Sequence, residues 1–179
     1  MRLMEPIIVE RNCQGVRIPE GTTTSLPAGT IVTLHQALGG DYTVRTGCGE
    51  MIRISGKDAD AIGMQPTVRP ETASGPFDVE NVWEQLRSVY DPEIPVNIVE
   101  LGLVYECDAE PLPGGGHRVD IQMTLTAPGC GMGEVLKRDV EQKVLSVPDV
   151  KVCNVELVWE PQWGPDRMSE AARLQLGFF

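Results

Sequence analysis

From His117 to Thr126 the chain alternates cleanly. Val119, Ile121, Met123 and Leu125 are apolar, and Arg118, Asp120, Gln122 and Thr124 between them are polar. A period of two puts these sets on opposite faces of a β-strand. The run Leu103-Val104-Tyr105-Glu106-Cys107 forms a strand before it, and Pro111-Leu112-Pro113-Gly114-Gly115-Gly116 joins the two as a hairpin with a loose loop. A third strand is predicted from Val150 to Trp159, with Cys153, Val155, Leu157 and Trp159 on one face. That places Trp159 in the core. Helical spacing appears in two places. Val79, Val82, Trp83, Leu86 and Val89-Tyr90 follow Asp78, a plausible N-cap, and Pro92 is expected to end that helix. Met132, Leu136, Val140 and Val144 recur in steps of four after Cys130, until Pro148. Ser169-Glu170-Ala171-Ala172-Arg173 reads as a short capped helix.

The N-terminal part carries β signals only. Ile31 through Gln36 and Tyr42 through Thr46 are β-rich and meet through Gly39-Gly40-Asp41, a hairpin turn. Met51-Ile52-Arg53-Ile54 follows the Gly47-Cys48-Gly49 break, giving a small meander or barrel-like module. Pro66, Pro70, Ser74, Gly75 and Pro76 make a breaker-rich linker. The predicted class is α+β. A small all-β module over residues 1–65 and a linker over 66–76 precede an α-β-β-α-β domain over 77–160. Its helices pack on one sheet, and a tail over 161–179 holds the short helix.

Charge sharpens this division. The 179 residues carry a net charge of −11, yet residues 1–70 are balanced and the whole excess falls in 71–179. Such acidity disfavours nucleic acid or an anionic membrane as a partner. No apolar run has the length of a signal peptide core or a membrane span. Five widely spaced cysteines without a C-x-x-C pair suit neither a disulfide framework nor a standard zinc site. The expected compartment is the cytoplasm, with thiols reduced.

Candidate chemistry centres on Cys130, in Thr126-Ala127-Pro128-Gly129-Cys130-Gly131-Met132-Gly133. A thiol where a strand gives way to a helix N-terminus meets free N–H groups and the positive end of the macrodipole. Both favour the thiolate, the form that attacks electrophiles and binds soft metals. Gly129 and Gly131 supply backbone access without bulk. A lone cysteine is otherwise most often a small core hydrophobe. A second constellation is Asp91-Pro92-Glu93-Ile94-Pro95-Val96-Asn97-Ile98-Val99-Glu100, whose two prolines stiffen a segment bearing three carboxylates. Asp91, Glu93 and Glu100 are candidate oxygen ligands for ferrous iron, against the alternative of local turns and solvated charges. Cys107 and Cys153 lie mid-strand and are expected to pack in the core. His35 reads as an ordinary sheet histidine, and a His35–Cys13–Cys48 trio is the lesser alternative. His117, after three glycines, is expected to be exposed.

Two stretches, Asp91 through Val104 and Thr124 through Cys130, resemble the signatures of the iron–sulfur-assembly-type domain. That domain is shared by SufT proteins, PaaD-type proteins and eukaryotic cytosolic iron–sulfur assembly factors. The tail from Trp163 to Arg173 is similar to the segment following the domain in PaaD-type and SufT relatives. Gln36 through Val44 and Arg53 through Gly63 are similar to the extra domain of SufT. The resemblance implies an accessory, non-enzymatic role in maturing iron–sulfur proteins. Cys130 stands at the family's functional cysteine, with Thr126, Gly129 and Gly131 beside it. Where many relatives have proline after that cysteine, Gly131 leaves one more N–H free. The implied partners are the SUF machinery and apo client proteins, and a homodimer is allowed. Four cluster ligands are usual, and one exposed thiolate supplies too few. No stably bound cofactor is therefore expected, only transient iron or an iron–sulfur cluster. The competing readings are a small cysteine-dependent thiol enzyme, which lacks a placed base, and a purely structural interaction module.

Overall fold

The computed structural model describes residues 5–66, 75–91, 94–127 and 132–178. The chain forms two compact units, Met1–Arg69 with Pro92–Pro95, and Pro70–Asp91 with Val96–Phe179.

The first unit holds a six-stranded antiparallel sheet. Its strands are β1 (Pro6–Ile8), β2 (Cys13–Ile18), β3 (Thr23–Leu26), β4 (Ile31–Leu38), β5 (Asp41–Thr46) and β6 (Met51–Ile54). They lie in the order β1-β4-β5-β6-β2-β3. The β4–β5 turn is the predicted tight one. Gly39 and Gly40 both take positive φ, 64° and 87°, as a type I′ turn demands at its two central positions. The first three strands were not expected. Three residues make up β1, Gly15 interrupts β2, and β3 is Thr-Thr-Ser-Leu, so none shows a clear apolar alternation. Val9, Leu26, Val32, Leu34, Val44, Ile52 and Ile54 form the core, together with Cys13 and with Ala61 and Ile62 of a 3₁₀ turn at Gly56–Ile62. Pairing shifts between Leu34 and Gln36, so His35 sits exposed at a bulge instead of within a regular ladder.

In the second unit α1 (Val79–Arg87) starts as predicted, with the Asp78 carboxylate accepting from Glu80 N–H at 2.9 Å. It ends at Arg87, a turn short of Pro92. Val89 instead accepts at its carbonyl from Ile98 N–H, and Tyr90 bridges to Asn97. A three-stranded sheet follows in the order β7 (Val104–Pro111), β8 (His117–Met123), β9 (Val150–Leu157). The first pair is antiparallel and the second parallel, with α2 (Gly133–Val144) as the crossover. Leu136, Val140 and Val144 of α2 are buried. The helix packs on β9 and on α1, and Val119, Ile121 and Met123 are buried from β8. The alternate positions face outward, where Arg118 pairs with Glu110 and Asp120. A 3₁₀ turn (Pro165–Arg167) and α3 (Glu170–Leu176) complete the unit, with Ser169 capping α3 through Ala172 N–H. This is the expected α+β order. Among the described residues no helix is long and apolar enough to cross a membrane.

His117 departs from expectation. Its ring stacks on Phe77 at 3.9 Å, and its side chain keeps only a quarter of its exposure. The apolar partner comes from the segment before α1, remote in sequence.

Candidate functional site

The carboxylate-bearing segment is folded back on itself. Asp91 is buried, and its N–H donates to the Val96 carbonyl at 3.2 Å. The Asn97 side-chain oxygen accepts from the N–H groups of Val99 and Glu100 at 3.1 and 2.9 Å, an Asx-type turn. Ile98, Leu101 and Leu103 are fully buried and anchor this turn in the core. Glu100 is half-buried, and its carbonyl accepts from Ser169 N–H at 2.9 Å. The backbone is thus held at both ends of the segment. Glu93 lies outside the described residues, as do Gly129, Cys130 and Gly131. Met132 is the N-cap of α2 and Gly133 its first helical residue.

Thr126 is described, and it lines a cleft that sequence reasoning missed. Where β8 and β9 end side by side, Val158 N–H donates to the Met123 carbonyl at 2.8 Å, and beyond that bond the two chains separate. Between them lies a cleft of about 290 Å³, walled by Thr124–Thr126 on one side and Trp159–Trp163 on the other. The carboxyl ends of adjacent parallel strands in a βαβ unit are where such crevices form. The far wall is pinned at two points. Trp163 Nε1 donates to the Leu101 carbonyl at 2.8 Å, and Tyr105 Oη donates to the Pro161 carbonyl at 2.8 Å. The Arg167 guanidinium covers the Tyr105 ring at 4.5 Å. Trp159 is therefore not the core residue that strand alternation predicts. The strand stops at Leu157, the alternation stops with it, and the indole is 46% exposed. Two tryptophans bracketing Pro161 just past a strand end were the available signal for the wall.

The other cysteines behave as packing residues or surface thiols. Cys107 and Cys153 flank β8, beside Ile121 and Val119, and are partly buried. Burial is the main cause that pushes their thiols up to about 11 and about 12. Cys13 is 5% exposed in the first core, and burial pushes its thiol up too. Cys48 is exposed on the β5–β6 turn, 3.0 Å from Thr46 Oγ1. With Cys13 sealed and His35 on the surface, the His35–Cys13–Cys48 trio is not assembled. Among the described residues no three His, Cys, Asp or Glu side chains come together to hold a metal. A thiol with a raised pKa stays protonated until the pH nears that value. At pH 8 the Cys107 thiolate is about one part in a thousand. Iodoacetamide at pH 8 is expected to label Cys48 quickly and Cys107 and Cys153 at least ~10-fold more slowly. Peptide mass spectrometry over time reads this, and equal rates would contradict the buried assignment.

Residues 79–157, from the start of α1 to the end of β9, match the family model described as iron-sulfur cluster assembly protein. An Fe-S protein maturation auxiliary factor of Porphyromonas gingivalis is 48% identical over 99 residues, 55% of this chain and 90% of that protein. The chain belongs to this iron–sulfur cluster assembly family. The Bacillus subtilis Fe-S protein maturation auxiliary factor YitW is 41% identical over 98 residues, 55% of this chain and 92% of its own. The Staphylococcus aureus Fe-S protein maturation auxiliary factor SufT is 39% identical over 89 residues, 50% of this chain and 97% of its own. The family domain is thus the α-β-β-α-β part of the second unit, and the first sheet lies outside the matched residues. Within the family domain, the described parts of both sequence signatures sit at its structural joints. One is the turn after α1, and the other is the exit from β8 toward α2.

Proposed function

We propose that this protein is a non-enzymatic accessory factor in the maturation of iron–sulfur proteins, working in the cytoplasm with the SUF machinery and apo clients. The observation that carries the reading is near-complete coverage of three maturation auxiliary factors at 39–48% identity. In this reading Cys130 is the ligand presented, and iron or a cluster is its cargo, held in transit and not kept. A thiolate suits soft iron–sulfur cargo, and Asp91, Glu93 and Glu100 supply the harder oxygens that ferrous iron accepts. Three of the four described cysteines are poor substitutes, because burial keeps Cys13, Cys107 and Cys153 protonated. A second chain completes the ligand set, since one thiolate falls short of the usual four.

The test is a Cys130→Ser variant expressed at the wild-type level in cells that need the protein for their cluster enzymes. The activity of a [4Fe–4S] dehydratase in extracts is expected to fall to the level of cells lacking the protein. Normal dehydratase activity would refute the cysteine-centred mechanism. A circular dichroism spectrum matching wild type separates lost chemistry from lost fold.

A further inference from the structure

The cleft between Thr124–Thr126 and Trp159–Trp163 carries two groups without a polar partner among the described residues. The Trp159 indole is 46% exposed, and its N–H has no acceptor among the described residues. Trp163, on the same wall, spends its N–H on the Leu101 carbonyl. Glu160 lies between them and has no hydrogen bond or ion pair among the described residues. The unit's other exposed carboxylates include several that are paired: Glu80 with Arg87, and Glu110 and Asp120 with Arg118. Among the described residues no lysine or arginine lines the cleft, and residues 71–179 hold the chain's entire negative excess. The volume is about 290 Å³, near the lower limit for a site that encloses a whole small molecule. One long side chain with its neighbouring backbone fits it better.

From these features we infer that the cleft binds an arginine side chain of an extended segment in a partner protein. An indole face attracts a cation, and a guanidinium also stacks on it through its own plane. A carboxylate beside the ring accepts the guanidinium's forked N–H donors, which a lysine ammonium cannot offer. Leu125 and Pro161 provide apolar surface for the aliphatic stem. The molecule already uses this pairing once, with Arg167 over Tyr105 at 4.5 Å. The inference deepens the maturation reading and rests on it for the partner's identity as a client or scaffold. Thr126 is a wall of the cleft and stands four residues before Cys130. A captured segment therefore lies against the strand exit that leads to the presented thiol.

The experiment uses the full chain and three blocked pentapeptides. Each has two leucines on either side of a central arginine, lysine or citrulline, citrulline being the uncharged isostere of arginine. Binding is read by titration calorimetry and by the Trp159 indole resonance. The arginine peptide is expected to bind with a Kd of roughly a millimolar or below, and citrulline to weaken it about tenfold. Glu160→Gln should abolish the preference for arginine over citrulline, and Trp159→Leu should weaken the arginine peptide several-fold. Both side chains are on the surface, so the fold should persist. Equal affinity for arginine and citrulline overturns the inference, as does a preference that survives Glu160→Gln. No binding of any peptide overturns it as well. An indole shift that follows protein concentration without peptide would assign the cleft to a second copy of the chain instead. Cys130→Ser should leave peptide affinity unchanged. Failure of the peptide experiment thus stays separate from failure of the maturation assay.

Discussion

Gly102→Ala is expected to destabilise the second unit by about 3 kcal/mol or more. Gly102 has φ 69°, in the left-handed region, where a side chain costs about 1 to 2 kcal/mol. The larger part comes from what a methyl group would meet. A Cβ at this position would overlap the Arg167 carbonyl oxygen and lie 2.7 Å from its carbon. That carbonyl belongs to main chain and has little freedom to retreat. Arg167 N–H is bonded to Gly164 at 3.0 Å, and Ser169 N–H to Glu100 at 2.9 Å. Relief therefore requires the tail to lift from the turn at 98–102, with loss of the Trp163 bond to Leu101. Equilibrium urea unfolding would measure the change. A loss below about 1 kcal/mol would show that the tail is not held against Gly102 as described.

The second large effect is expected at Lys143. Its side chain is only 6% exposed, and Nζ donates to the Ser88 carbonyl at 2.6 Å. Ser88 is the C-cap of α1, so the ammonium of one helix sits on the negative end of another. Lys143→Ala removes the buried aliphatic stem and the charged donor together, leaving a carbonyl without that partner. The expected cost is about 3 kcal/mol. Lys143→Met keeps most of the stem and should recover roughly half of that loss. The same urea measurements test both variants. Equal stability of the alanine variant and wild type would remove Lys143 from the joint between the helices.

These two residues also mark the limits of what the sequence makes visible. Gly102 stood within a recognisable motif, but its reason for being glycine lies in the backbone of Arg167, a contact between segments far apart in the chain. Lys143 stands seven residues after Leu136 and three after Val140, so helical spacing puts it on the buried face of α2. What the sequence does not show is why a cation is tolerated there, because the end of another helix lies above it. What was legible followed from local physics. The alternation of β8, the Asp78 cap, the type I′ turn at Gly39-Gly40 and the Ser169 cap each depend on a few neighbouring residues. Strand position put Cys107 and Cys153 on the face of Ile121 and Val119, but they are half-buried there and not core residues. Trp159 was misplaced because alternation was extended past the strand's end, and His117 because Phe77 comes from before α1. The cleft needs the strand ends at Met123 and Leu157, 34 residues apart, to be brought together, which no rule about neighbouring residues reports. The motif around Cys130 was readable as chemistry, while Gly129, Cys130 and Gly131 lie outside the described geometry.

The strand order of the first sheet governs when that sheet can be completed. Hairpins β2–β3 and β4–β5 close locally, but β2 finds its second neighbour only in β6, and β1 finds its one neighbour in β4. On a ribosome the β2–β3 hairpin would emerge with one edge bare and wait for the chain through Ile54. Closing such a distant pairing is slow, and an unpaired edge is open to wrong partners meanwhile. Assembly of this sheet thus waits for β6 and is nearly all-or-none once Ile54 has emerged. Substitutions that weaken β6 should lower the yield of folded chain before they change anything the finished protein does.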